Sequence, residues 1–102
     1  MSRPLKLILT YEMRDDAGQE YFQFMMGKYG PEMQKMGVEL AGAWGLAWGE
    51  GPMRQLVFVS RDEATMWEAL DSETFEQLND KIDEYVYDLA FKVIPYREGF
   101  QI

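Results

Sequence analysis

The stretch AGAWGLAWGEGP, residues Ala41–Pro52, decides how the chain is read. Trp44 and Trp48 stand four residues apart in two near-copies of one phrase, Ala43-Trp44-Gly45 and Ala47-Trp48-Gly49. A helix here is penalised, because each of its glycines costs about 1 kcal/mol relative to alanine. As a strand the same residues sort cleanly. Leu40, Trp44, Leu46 and Trp48 fall on one side, with Ala41, Ala43, Gly45 and Ala47 on the other. One face is heavy and aromatic, and the other lets a neighbour approach the backbone. Glu50-Gly51-Pro52 then turns the chain, and Met53–Ser60, with the run Leu56-Val57-Phe58-Val59, returns as an antiparallel hairpin partner.

Outward from this hairpin the periods alternate. Before it, Leu5–Met13 has a period of two, with Leu5, Leu7, Leu9, Tyr11 and Met13 on one face and Lys6, Ile8, Thr10 and Glu12 on the other. Residues Gln19–Met36 carry Phe22, Met25, Met26, Tyr29, Met33 and Met36 at helical spacing. Gly30-Pro31 predicts a kink or a break within that helix, and Gly37 its stop. After the hairpin, Ser60-Arg61-Asp62-Glu63 fits a capping box, with Ala64, Trp67 and Leu70 expected on one helix face. Asp71-Ser72 breaks the register and recaps a second piece, on which Phe75, Leu78, Ile82 and Tyr85 are spaced as an apolar stripe. Val86–Ile94 alternates again, with Leu89, Phe91 and Val93 facing one way, and Pro95 ends it.

The order βαββαβ predicts an α+β, ferredoxin-like domain over residues 1–102. It has a four-stranded antiparallel sheet with its helices on one face. Both sheet faces are apolar, as Leu7 and Leu9 against Ile8 illustrate. A lone chain would leave one of them as a large bare patch. Pairing two such faces across a two-fold axis predicts a homodimer whose sheets close into an α/β barrel. A ligand cavity then lies between the sheets or between sheet and helices.

Composition narrows the chemistry. The chain has 102 residues, with 18 acids, 10 bases, no Cys and no His. The missing cysteines exclude disulfides and thiolate chemistry, and the missing histidines remove the usual general base, metal ligand and haem ligand. The net charge of -8 argues against nucleic acid and anionic membrane as partners. Nine acids lie between Glu63 and Asp88 with Lys81 as the one base among them, the pattern of a solvated helix face or of a docking face for a basic partner. No signal peptide and no apolar run of about 20 residues precedes or interrupts the pattern, which places the protein in the cytoplasm. No phosphate loop or acid-only metal cluster is apparent, so neither a metal nor a cofactor is expected.

Several features spread along the chain resemble the dimeric α/β-barrel superfamily and, within it, the NIPSNAP-like proteins. They are Thr10-Tyr11 ending the first strand, Gly18 in the loop, Pro31 and Gly37 in and after the first helix, and Gly42 and Trp44 in the second strand. Gly49 and Gly51 at the hairpin, Ser72–Leu78 with Phe75, and Pro95 complete the set. The chain departs where that family resembles Glu-x-Arg-x-Tyr. Leu7, Leu9 and Tyr11 occupy those positions, which implies a more apolar pocket. The third strand has Val-Phe-Val-Ser without the family's tryptophan. The resemblance implies that Tyr11 looks into the barrel beside Leu7 and Leu9. Haem-binding cousins need a histidine that this chain lacks.

The expected ligand pocket is therefore Leu7, Leu9, Tyr11, Trp44, Leu46 and Trp48, holding a small apolar or aromatic molecule. Tyr11 is the one catalytic candidate, as proton donor or orienter, and its alternative is a structural tyrosine bonded to backbone. The tryptophans either wall a planar ligand or fill the core. Three functions stay open: a small-molecule binding dimer, a cofactor-independent monooxygenase or isomerase, and a structural or adaptor dimer with a filled interior.

Overall fold

The computed structural model describes residues 3–14, 16, 18–46 and 53–95, with the side chains of 43–46 and 53 outside that description. The elements run β1 (Leu5–Met13), α1 (Gly18–Phe24), a π-helical turn (Met25–Tyr29), α2 (Gly30–Lys35), β2 (Val38–Leu46), β3 (Met53–Ser60), α3 (Glu63–Leu70), α4 (Glu73–Ile82) and β4 (Val86–Pro95). The strands form one antiparallel sheet in the order β2-β3-β1-β4. This is the expected ferredoxin-like α+β arrangement. No helix among the described residues is long and apolar enough to cross a membrane.

The sheet's helix-facing rows are set by β1. Leu7 lies opposite Phe58 and Val93, and Leu9 opposite Leu56 and Phe91. These rows pack on Met25, Tyr29 and Met33 of the first helical layer and on Met66, Phe75, Leu78 and Ile82 of the second. Leu7, Leu9 and Tyr11 are fully buried there. The expectation that these three side chains look into a space between two sheets is therefore corrected. Period two puts all three on one face, as read, but it cannot say which face the helices cover. The other face carries Ile8, Val57, Val59 and Ile94 in the adjacent rows.

Two bulges interrupt the alternation. In β2, Leu40 pairs with Phe58 but Gly42 with Val57, so Ala41 is an extra residue. Trp44 then stands opposite Gln55 and Leu46 opposite Met53, in rows alternate to that of Leu40. A simple two-residue count put Leu40, Trp44 and Leu46 together, and the bulge separates Leu40 from the other two. Trp48 lies outside the described residues. In β4 the register steps between Thr10 and Glu12, where Asp88 takes φ 57°. Aspartate is among the few side chains that adopt this left-handed region readily.

The interruption at Gly30-Pro31 takes the form of the π turn. Proline has no N–H, and its ring crowds the carbonyl four residues back. The preceding turn widens instead, and the Gly30 N–H reaches the Met25 carbonyl five residues back. A Cβ on Gly30 would sit 3.2 Å from that carbonyl oxygen. The helix ends at Gly37, whose φ of 85° suits glycine, as expected.

In the second helical layer the cap differs from the expected one. Asp62, not Ser60, accepts the Thr65 N–H at 2.8 Å, while Ser60 Oγ donates to the Asp62 carbonyl. The helix that follows buries Met66 and Ala69 and leaves Trp67 half in solvent. The buried face is that of Met66 and Ala69, with Leu70 at its edge, and not the expected face of Ala64, Trp67 and Leu70. Ser72 caps α4 by accepting the Phe75 N–H, as expected.

Candidate functional site

The cleft between the first helical layer and the outer strands is the most apolar concavity among the described residues. It encloses about 280 Å³, near the lower end of the usual range for ligand pockets. Its helical wall is Tyr21, Phe22, Met25 and Met26, and its sheet wall is Leu40, Arg54, Leu56 and Phe58. Both Met25, buried, and Met26, at the mouth, belong to the π turn. Phe22 and Met26 are 61% and 59% exposed, and Leu40 is 48% exposed, so the mouth is an apolar rim. A larger depression of about 550 Å³ at the other end of the sheet is bordered by Glu39, Arg61 and Asp62. It is more polar and more open than the cleft, and its cap aspartate is already engaged with Thr65.

Two polar side chains line the apolar cleft, Tyr21 and Arg54. Tyr21 is joined to Tyr11 by a hydrogen bond between the two hydroxyls, and the rings meet edge to face at 5.9 Å between centroids. Burial first, and then the bond to Tyr21, push the Tyr11 phenol well up from its ordinary value. Burial likewise raises Tyr21, and Arg54 pulls both the other way. Both phenols are therefore protonated at neutral pH. The pair can donate a proton or a hydrogen bond, but it does not supply a base. Either hydroxyl can be the donor within the pair. With Tyr11 donating, Tyr21 turns its own O–H to the cleft.

The ladder explains why these groups meet. Tyr11 is opposite Arg54, which is opposite Gly45, so one helix-facing row reads Tyr11, Arg54, Gly45. Trp44 and Leu46 occupy alternate rows. The residues expected as one pocket are thus not assembled on one face. Leu7 and Leu9 are core, Tyr11 stands behind Tyr21, and Trp44 and Leu46 lie in rows of the opposite parity. Sequence reasoning missed Tyr21, Arg54, Phe22, Met26 and Leu40 as a group. The Phe22 and Met26 stripe was the available signal. Arg54 was not, because its row depends on a hairpin register that the turn residues leave open.

Among the described residues no three His, Cys, Asp or Glu side chains converge as a metal site.

No protein-family model matches the chain, and no curated protein does. Solved structures do match in fold. A NIPSNAP domain protein from Burkholderia xenovorans superposes with a TM-score of 0.65 at 13% identity, over 96% of this chain and 99% of the other. SnoaB, a cofactor-independent oxygenase from Streptomyces nogalater, gives 0.70 at 9% identity, over 95% and 96%. An ethyl tert-butyl ether d (ethd) family protein from Bacillus halodurans gives 0.69 at 13%, over 92% and 99%. The chain is NIPSNAP-like in fold, and at these identities the likeness speaks to fold alone.

Proposed function

We propose that this protein is a cytoplasmic homodimer that holds a small apolar or aromatic molecule in the cleft between the first helical layer and β2 and β3. The observation that carries the reading is the cleft itself, an apolar slot with a hydroxyl pair and one guanidinium at a single end. That pattern of apolar walls with few, convergent polar groups is how small-molecule sites are built. Of the two expected locations, between the sheets or between sheet and helices, this reading takes the second, with Tyr11 behind Tyr21.

The dimer is supported by Val59 and Ile94, half-buried in one row of the sheet face away from the helices, while Ile8 and Val57 in the next row are already buried within the chain. A second copy packing there would cover the part of that face that stays accessible. Light scattering at micromolar concentration is expected to give twice the chain mass of 11.9 kDa. A mass of one chain would refute the pairing.

The cleft is tested by a thermal-shift screen of one- and two-ring aromatics on the wild type and on Met26→Trp. Met26 is largely exposed, so a bulkier side chain there narrows the mouth without disturbing the core. A ligand at 100 times its Kd contributes about 2.7 kcal/mol, or roughly 10 °C or more in Tm for a domain of this size. The shift is expected in the wild type and absent in Met26→Trp. Equal shifts in both would remove the cleft as the site.

A second reading, a cofactor-independent oxygenase, is favoured by the Tyr11–Tyr21 donor pair at the cleft together with the fold likeness to SnoaB. Oxygen uptake on adding a bound aromatic would establish it over simple binding.

A further inference from the structure

We infer that the molecule held in the cleft carries an anionic oxygen on its apolar body, a phenolate, enolate or carboxylate, and that Arg54 and Tyr21 receive it. This rests on the cleft being a ligand site, as proposed above, and names the chemical class of its occupant.

Charge is the first argument. The chain carries -8 overall, from 18 acids against 10 bases. Yet the cleft lining contains one base, Arg54, and no acid. The acids of the surrounding elements border other surfaces. Glu20 of α1 faces a depression with Asp16 and Lys81, and Glu32 of α2 pairs with Lys35 at 3.3 Å. Glu39 of β2 borders an adjoining groove with Met26 and Leu40, and it pairs with Val59, five rows along β3 from Arg54. At the strand rise that is roughly 16 Å, beyond a Debye length of about 8 Å. Glu12 of β1 stands opposite Met53, one row from Arg54, on the other sheet face by alternation, so Arg54 is the one charged side chain lining the cleft among the described residues.

Donor geometry is the second. A guanidinium offers five N–H donors and no acceptor, in a planar fork that matches a carboxylate. Among the described residues Arg54 makes no hydrogen bond or ion pair, so these donors are not committed there. Gly45 stands opposite Arg54 in the ladder, and no side chain from that position competes for the space. Tyr21 adds a hydroxyl on the helical wall, backed by Tyr11, and a chain of two hydroxyls donates more strongly than one. The remainder of the wall, Phe22, Met25, Met26, Leu56 and Phe58, offers only apolar or polarisable surface for the body of the molecule.

Two fluorescent naphthylamines separate charge from shape: 1-anilinonaphthalene-8-sulfonate, an anion, and N-phenyl-1-naphthylamine, its neutral counterpart. The wild type is expected to bind both, with the anion tighter at low salt. Arg54→Gln is expected to weaken the anion about tenfold, the scale of one charge-assisted hydrogen bond, and to change the neutral compound less than twofold. Arg54→Lys is expected to restore part of the anion's affinity. Arg54 is exposed, so these variants keep the fold, which circular dichroism checks. Met26→Trp is expected to weaken both compounds. If it weakens both while Arg54→Gln leaves the anion unchanged, the cleft stands and the anion assignment falls. If Met26→Trp weakens neither, or neither compound binds the wild type, the cleft is not the site and both readings fall together.

Discussion

Leu7→Ala is expected to lower the free energy of unfolding by about 2–5 kcal/mol, the range for a leucine deleted from a packed core. Leu7 is 0% exposed, in a central strand, with Phe58 and Val93 on its two flanks and the helical layer above it. A domain of this size has only about 5–15 kcal/mol in hand, so the variant is left marginal. Urea unfolding measures it, as a fall in midpoint at unchanged slope. The same measurement separates two roles for this residue. A pocket-lining leucine facing an open cavity would lose ligand affinity with little change in stability. A small change in midpoint would therefore count against the packing described for β1.

Alkaline pH is expected to unfold the protein steeply above about pH 10, the ordinary tyrosine value. Tyr11 and Tyr29 are both 0% exposed, and burial pushes both phenols up. Tyr29 also donates to Asn79 Oδ1 at 3.0 Å, which ties the first helical layer to α4. The sign follows from proton counts. Above about pH 10 the unfolded chain releases these protons while the folded chain keeps them, so the unfolded state binds fewer and stability falls with pH. Their contribution is complete below the unfolded value and is lost as pH climbs toward the raised folded values. Each fully buried phenol adds a slope of about 1.4 kcal/mol per pH unit, so the two together add roughly 2.7. Urea midpoints taken from pH 7 to 11 are expected to be level and then to drop. Tyr11→Phe is expected to make that drop shallower, with Tyr29 and the half-buried Tyr21 supplying the remainder. The same alkaline slope in Tyr11→Phe as in the wild type would show that Tyr11 keeps no shifted proton in the folded state.

The two results bear on one another through Tyr11. It belongs to the core by burial and to the cleft through its bond to Tyr21. Its substitution therefore reports on stability first and on ligand affinity second, whereas Arg54 and Met26 report on the cleft with the core intact.

Much of the architecture was legible in the residues alone. β1 and β3 begin and end where alternation and flanking polar residues place them, and Ser72 caps α4 as its spacing to Phe75 implies. Gly37 stops the first helical layer because its φ of 85° disfavours other residues. These are local matters, decided by a period of 2 or 3.6 and by the backbone chemistry of glycine, proline and serine, so a sequence carries them openly. What only the tertiary structure decided is which neighbour each face meets. The helices cover the face of Leu7, Leu9 and Tyr11, and an extra residue at Ala41 puts Trp44 in the row of Gln55. Both outcomes are relations between segments far apart in the chain, and one inserted residue inverts every assignment beyond it. The Ala41–Pro52 stretch therefore announced a strand and a hairpin, while the cleft beside Arg54 came into being only when β1, β3 and the π turn were set against one another.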